Sequence, residues 1–516
     1  MRHITNPLRD GAERGKASVA TSDHYPARVL QPHLVSGSPR ANAHKTLQVM
    51  KFGGSSVNDA ACITKVAEII KNAVLDSDVV VVVSAMRGVT DLLIESATES
   101  EVGNQHRVTA IFREVRQRHE SAATALIHAA EKREKIAHGI DDLIRDAESV
   151  CREILRQRKL TPRMCDSISG LGERLSAPLV AAALEERGLR SQAIEATELI
   201  VTDSCYGSAE PYMDLTRERC EARLRPLLMQ GIIPVVTGFV AATVDGVATT
   251  LGRNSSDYSG TIMGAALDAD EVTLWTDVDG ILTSDPRLVP SASSILEMSY
   301  REASDLAKLG AKVLHPKTLH ALMQSGIPLS IRNTFAPDRP GTKITPDGSS
   351  NAAGVRAVTA ICDSALITVR ASSVLEVPDT LRRTLAIAAA IPFQVRLVPQ
   401  SSSSKSAICI VVSSNHAESA FDALRGEFAH DLEHEKLKHI TLHPSVAVIT
   451  LVGRNLRDAG DIVERVTAAL YRDTLKVFGI AQPSSGSNIS FVVAQQDVKL
   501  ALTIVHRELQ LDEHVR

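Results

Sequence analysis

Residues 49–57 read Val49-Met50-Lys51-Phe52-Gly53-Gly54-Ser55-Ser56-Val57. A short apolar run enters a lysine and then paired glycines. Backbone amides freed of side chains can close on phosphate oxygens there, and the lysine adds a point charge. The spacing is neither Gly-x-x-x-x-Gly-Lys-Ser/Thr nor Gly-x-Gly-x-x-Gly. The stretch therefore points to phosphate handling outside the two commonest nucleotide-binding folds. Taken alone it also fits a plain strand-to-helix turn, and the residues around it have to decide.

Outward from this loop, strands and helices alternate. Leu47–Phe52 reads as a strand and Asp59–Leu75 as a helix. Val79–Ser84 is a continuous β-branched run, as expected of a strand buried on both faces of a parallel sheet. Residues 104–160 carry charge at helical spacing with almost no Gly or Pro, which predicts a helical insertion over one end of the sheet. Arg190–Glu195, Ile232–Thr237 and Val272–Thr276 read as further strands with helices between them. The pattern is that of an α/β domain with a largely parallel sheet. Pro337–Ser350, rich in Pro, Gly, Asp and Ser, reads as the domain boundary.

Beyond it lies an internal repeat. Val395-Arg-Leu-Val-Pro-Gln400-Ser-Ser-Ser403 matches Val477-Phe-Gly-Ile-Ala-Gln482-Pro-Ser-Ser485 at an offset of 82 residues. Each copy precedes a strand (Ala407–Val412, Ile489–Val493) and then a helix (Ala417–Phe428, Gln496–Glu508). That order is half of a ferredoxin-like βαββαβ unit, so two such units in tandem are expected.

Composition narrows the function classes. The 516 residues are enough for two to four domains. A net charge of −4 and 3% aromatics provide neither a basic field nor stacking surfaces for nucleic acid. The seven cysteines, at 62, 151, 165, 205, 220, 362 and 409, form no Cys-x-x-Cys pair, which fits a reducing cytoplasm. No apolar run approaches the ~20 residues of a membrane helix, so no membrane partner is expected. The first 45 residues carry seven Lys/Arg, three Asp/Glu, four Pro and four His, with no apolar core of a secretory signal. They are expected to be a disordered extension.

Four further constellations carry chemistry. In Gly170-Leu-Gly172-Glu173-Arg174-Leu-Ser176, a carboxylate opens a helix, either as a cap or as a partner for a substrate ammonium. In Thr249-Thr250-Leu251-Gly252-Arg253-Asn254-Ser255-Ser256-Asp257-Tyr258-Ser259, an arginine can grip a carboxylate bidentately. Hydroxyls and the start of the helix Ser259–Ala266 offer donors to an anion. Asp257 could orient a lysine or act through Mg²⁺. In Leu274-Trp275-Thr276-Asp277-Val278-Asp279-Gly280, followed by Asp285-Pro286-Arg287, a strand ends where ligands bind in open α/β sheets. Gly310-Ala-Lys312-Val313-Leu-His315-Pro316 places a lysine near a helix end, which alone would read as a solvated or capping residue.

Taken together and in this order, these motifs resemble those of aspartate kinases, and the resemblance spans roughly residues 46–510. Other amino-acid kinases share the glycine loop but lack the Arg-Asn-Ser-Ser-Asp signature and the paired tail. The resemblance implies an αβα sandwich with a mostly parallel sheet, followed by two ferredoxin-like ACT domains. The expected divisions are 1–45 (extension), 46–336 (kinase), 337–352 (linker), 353–440 and 441–516 (ACT domains). It implies transfer of the ATP γ-phosphoryl group to the β-carboxylate of L-aspartate, with Mg²⁺. Lys51 and Asp257 would be catalytic. Thr90, Glu173, Arg253, Asn254, Ser255 and Ser256 would bind aspartate. Lys51, Gly53, Gly54, Ser55, Thr276, Asp277, Leu282, Arg287, Lys312 and Val313 would hold the nucleotide. Leu282 stands where several relatives carry tyrosine, leaving backbone contacts to replace stacking there. No metal site built from side chains is implied.

The ACT repeat implies an amino-acid effector, threonine or lysine, near Gln400, Ser402 and Gln482, and a homodimer or higher oligomer. Residues 400–403 and Ser330-Ile-Arg-Asn-Thr334 look closer to threonine-sensitive relatives. No Gly-x-Gly-x-x-Gly occurs up to Arg516, so the homoserine dehydrogenase activity of bifunctional relatives is not expected. The competing class is an amino-acid sensor with a degenerate kinase domain, against which Lys51, Glu173, Arg253 and Asp257 all stand intact.

Overall fold

The valine run at 79–83 is split between two hydrophobic cores. Val80 and Val82 join one, Val79, Val81 and Val83 the other, and none is more than 1% exposed. Because strand side chains alternate in direction, this strand must lie in the middle of three layers. The computed structural model describes residues 45–512 except 253–254, 311–313, 349–353, 391–394, 402–405, 457–459 and 484–485. Apart from Lys45, the extension expected at 1–45 lies outside the described residues.

The middle layer is an eight-stranded sheet. Its spatial order is β3 (Ser191–Ile194), β5 (Ile233–Thr237), β2 (Ser77–Val83), β1 (Thr46–Phe52), β8 (Glu271–Thr276), β10 (Leu329–Asn333), β11 (Thr342–Thr345) and β9 (Glu297–Ser299). Neighbours from β3 through β10 are parallel. A small sheet of β4 (Val201–Thr202), β6 (Val240–Thr243) and β7 (Ala248–Thr250) lies beyond it in the topology. One face is covered by α1 (Ala60–Ala73), α2 (Val89–Val102), α3 (Gln105–Leu126), α4 (Ala130–Gln157), α5 (Pro162–Ser169) and α6 (Leu171–Glu185). The other is covered by α7 (Met213–Met229), α8 (Ser256–Ala266), α9 (Tyr300–Lys308) and α10 (Pro316–Ser325). The helix after the glycine loop starts where its cap dictates. Asp59 accepts from the Cys62 amide at 2.9 Å, and that bond holds its carboxyl below the usual range.

Two expectations need correction here. The segment 337–352 is not a plain linker, because β11 within it pairs antiparallel with β10 and parallel with β9. The helix expected from Ser259 starts at Ser256, since its first turn is the polar run Ser256-Asp257 that periodicity alone does not count.

The C-terminal part contains β12 (Gly354–Ala371), α11 (Val377–Ala390), β13 (Val395–Leu397), β14 (Gln400–Ser401), β15 (Ala407–Ser413), α12 (Ala417–Glu427), α13 (Ala429–Glu433), β16 (Leu437–Arg454), α14 (Gly460–Arg472), β17 (Gly479–Ala481), β18 (Asn488–Ala494) and α15 (Val498–Glu508). These form two ferredoxin-like units, but the units are not sequential. β12 and β16 each run through both. Ala365, Ile367 and Val369 from the later half of β12 share a core with Ile410, Val412 and Leu437. Val355 and Val358 from its earlier half share another with Ile449, Phe491 and Val505. The register between β12 and β16 breaks at Ile361/Ser364, where Asp363 takes a φ of 53°. The boundary expected at 440/441 therefore falls inside β16. One unit is inserted between the first strand of the other and the rest of it. The sequence repeat is nonetheless real in space: Gln400 on β14 pairs with Ile480 on β17, joining the edge strands of the two copies.

Candidate active site

Parallel strands deliver their C-terminal ends to one edge of the sheet, and the strand-to-helix loops gather there. β1 carries Lys51, which lies in register with Val82 on one side and Leu274 on the other. Lys51 is only 7% exposed, and its Nζ lies 2.6 Å from Asp257 Oδ1 on the first turn of α8. Gly260 permits this approach, because a Cβ there would sit 3.0 Å from Lys51 Cβ.

The glycine loop is held between neighbouring strand ends. The Gly53 amide donates to the Trp275 carbonyl at 3.0 Å, and the Ser56 amide donates back to Gly53 at 2.9 Å. A Cβ on Gly54 would come within 2.9 Å of the Ala85 carbonyl oxygen. Neither glycine takes a positive φ, so at Gly54 close approach, not backbone conformation, excludes larger residues. Ser56 shares a 2.7 Å hydrogen bond with Thr334, tying the loop to the end of β10. The ring of Phe52 stacks on Trp275 with centroids 5.9 Å apart.

Glu173 lies in the first turn of α6 and is 2% exposed. Burial pushes its carboxyl up to about 8, against the opposing pull of the Ala85 amide, the Lys51 charge and the Ser256 hydroxyl. Its Oε2 has no hydrogen-bond partner among the described residues. A buried carboxyl with one free oxygen is prepared for a cationic ligand. Gly172 seats the helix, since a Cβ there would fall 2.5 Å from Ala85 Cβ.

The other expected acceptor residues lie around this edge. Thr90 is half-buried in the first turn of α2, after Gly88 at a φ of 78°. Ser255 donates to the Gly252 carbonyl, and Ser256 opens α8. Ser259 accepts from the Phe239 amide at 2.8 Å. Arg253 and Asn254 lie outside the described residues.

On the nucleotide side, Ser55 lies in the loop after β1. Thr276 ends β8 and its hydroxyl donates to Asp277 at 3.2 Å. Leu282 forms a bridge with Ser294, and Arg287 is held by Asp285 at 2.6 Å with its side chain 74% exposed. The Arg287 guanidinium is therefore held toward solvent by Asp285. Lys312 and Val313 lie outside the described residues. Of the expected effector residues, Ser402 lies outside them, Gln400 is placed by its backbone pairing, and the Gln482 amide donates to the Leu456 carbonyl at 3.1 Å.

Residues without a motif also contribute. The Ser56–Thr334 bond and the buried carboxylate Asp166, which accepts from Thr250 and Gly207, join segments far apart in sequence. No local pattern marks either. Among the described residues, no group of three or more His, Cys, Asp or Glu could hold a metal ion. The carboxylates at this edge are Asp257, already paired with Lys51, the buried Glu173 and Asp277, with hydroxyls around them and no cluster of three. This set suits a cation that arrives on phosphate oxygens, not one caged by the protein.

Residues 46–333 match the profile of the amino acid kinase family, and residues 449–509 that of an ACT domain. The chain is 30% identical over 471 residues to bifunctional aspartokinase/homoserine dehydrogenase 1, chloroplastic, of Arabidopsis thaliana, covering 90% of this chain and 51% of that protein. It thus spans about half the length of such bifunctional relatives. It is 28% identical over 462 residues to lysine-sensitive aspartokinase 3 of Escherichia coli K12, covering 89% of this chain and 98% of that protein. The solved structure of E. coli aspartokinase III in complex with aspartate and ADP superposes with a TM-score of 0.73 at 26% identity, covering 90% of this chain and all of that one.

Proposed function

The chain belongs to the amino acid kinase family, and from that premise we propose that it is an aspartate kinase. It transfers the ATP γ-phosphoryl group to the β-carboxylate of L-aspartate, giving 4-phospho-L-aspartate. The observation that carries this reading is the pairing of opposite chemistries at one sheet edge. The buried Lys51 paired with Asp257 beside the glycine loop suits phosphate, and the buried Glu173, with an oxygen unpartnered among the described residues, suits a cation. A phosphoryl donor and an amino-acid acceptor satisfy both.

The acceptor carboxylate is already a competent nucleophile, so no general base is required. Catalysis then rests on in-line positioning and on neutralising charge around the phosphoryl group. Lys51 provides that charge, and Asp257 fixes its ammonium at 2.6 Å. The Gly54 amide lines the phosphate path, while the Gly53 amide holds the loop to the Trp275 carbonyl. Glu173 binds the substrate ammonium, Arg253 its α-carboxylate, and Thr90, Ser255 and Ser256 complete the acceptor site. The ends of β8 and of the loop after it, with Lys312, hold the nucleotide. Mg²⁺ bound by the nucleotide phosphates would add charge neutralisation there. The ACT units would bind an amino-acid effector, a reading supported by the solved complex of E. coli aspartokinase III with lysine and aspartate, and would pair in a homo-oligomer.

A hydroxamate assay with ATP and Mg²⁺ tests the reading. Aspartate should give ATP-dependent hydroxamate and glutamate little. Equal product from both, or none from aspartate, would remove the substrate assignment.

A further inference from the structure

We propose that Asp166 is a positioning residue for the phosphoryl acceptor, a role that rests on the acceptor site lying between the starts of α6 and α8. Asp166 is 4% exposed on α5, immediately before the helix that carries Glu173. Its Oδ2 accepts from the Gly207 amide at 2.9 Å and from the Thr250 amide at 3.0 Å. Its Oδ1 accepts from the Thr250 hydroxyl at 2.8 Å. Its own carbonyl accepts from the Gly170 amide at 3.2 Å, at the junction into α6.

One carboxylate therefore joins three segments. Thr250 is the last residue of β7, from which the chain enters Leu251-Gly252 and reaches Ser255–Asp257. Gly207 belongs to the loop that lies against that entry, since its carbonyl oxygen would be 3.6 Å from a Cβ on Gly252. The contacts close on themselves through the small sheet. Thr250 pairs with Val240, and a Cβ on Gly170 would meet Val240 Cγ1 at 2.3 Å. Glu173 and the chain leaving β7 at Leu251-Gly252 are thus referenced to a single buried group. Small displacements of a reacting carboxylate are expensive in rate, so a fixed frame on the acceptor side matters. The glycine loop is anchored separately, through Trp275 and Thr334, and takes no bond from Asp166.

The test is steady-state kinetics of Asp166→Ala, Asp166→Asn and Thr250→Val, with aspartate and ATP varied separately. Asp166→Ala should raise the aspartate KM by about tenfold to a hundredfold and leave the ATP KM within about twofold. Asp166→Asn should restore near wild-type values. Its carbonyl oxygen can keep both amides, while the Thr250 hydroxyl reverses to accept from the new NH₂. Thr250→Val, which loses one bond, should fall between and serves if Asp166→Ala does not fold. Hydrogen exchange at the Gly207 and Thr250 amides should speed up in Asp166→Ala while the 53–57 amides stay unchanged. An equal rise in both KM values, an Asn variant as damaged as Ala, or unchanged exchange would overturn the proposal. If the wild-type enzyme itself fails to turn over aspartate, the substrate reading fails, and the exchange comparison still decides the role of Asp166.

Discussion

Lys51 and Glu173 show how burial sets the chemistry of single residues. Lys51 has Asp257 facing it at 2.6 Å; among the described residues Glu173 has no such partner on Oε2, and burial favours its neutral form. Replacing Lys51 with Ala should remove one charge clamp, worth about 3–4 kcal/mol of transition-state stabilisation if oxyanion-type magnitudes apply. Turnover should fall by about a hundredfold or more while the melting temperature stays close to wild type. Near-wild-type turnover in folded Lys51→Ala protein would refute the role. The Glu173 prediction has a definite sign. Between its ordinary value of 4.5 and about 8, the folded protein holds a proton that the unfolded chain has released. This group therefore makes stability fall as pH rises through that window. Glu173→Gln should remove that slope, so its advantage in thermal stability over wild type should grow from about pH 5 to about pH 8. The same variant should bind aspartate more weakly. Melting curves that stay parallel across the window would show that the carboxyl is not buried in the protonated form.

The glycines of the site act on whole helices, and their role was only partly legible. Gly53 and Gly54 announced a phosphate loop, but the reason for glycine at 54 is the approach of the Ala85 carbonyl just beyond β2. Gly172 is sharper. Alanine is the better helix former by roughly 1 kcal/mol, yet its Cβ would sit 2.5 Å from Ala85 Cβ. Overpacking of this kind costs about 1–3 kcal/mol, so the clash should win. Gly172→Ala should push α6 off the end of β2, lower the melting temperature and raise the aspartate KM. A gain in stability would show that α6 has room to shift. Strands buried on both faces, such as Val79–Val83, and capped helices, such as the one after Asp59, were readable because each carries its own periodicity or cap. β11 was not, since its Pro- and Gly-rich surroundings mimic a linker and only pairing with β10 makes it a strand.

At the scale of the molecule, the repeat was visible but its threading was not. A repeat reports similarity between copies, not which strand completes which unit, and only the cores on β12 and β16 reveal the insertion. The C-terminal units are also bonded to the kinase domain. The Val358 amide on β12 donates to the Thr283 carbonyl at 2.8 Å, and His506 on α15 shares a 2.9 Å hydrogen bond with the Thr283 hydroxyl. Val289 from the same loop enters the core of that unit. This loop follows Thr276-Asp277 on the nucleotide side. An effector that shifts the ACT units should therefore alter the apparent ATP affinity, and ATP should alter effector binding by the same factor. Titration with threonine, lysine and both should lower activity with at least one of them, and full activity at millimolar levels of each would remove feedback by these two amino acids. The central claim concerns which atom receives the phosphoryl group. The most direct test is to quench a reaction of ATP, Mg²⁺ and L-aspartate with borohydride, which reduces an acyl phosphate to an alcohol, and identify the product. Phosphorylation of the β-carboxylate predicts homoserine, absent when Lys51 is replaced; 3-amino-4-hydroxybutanoate, or no reduced product at all, would contradict it.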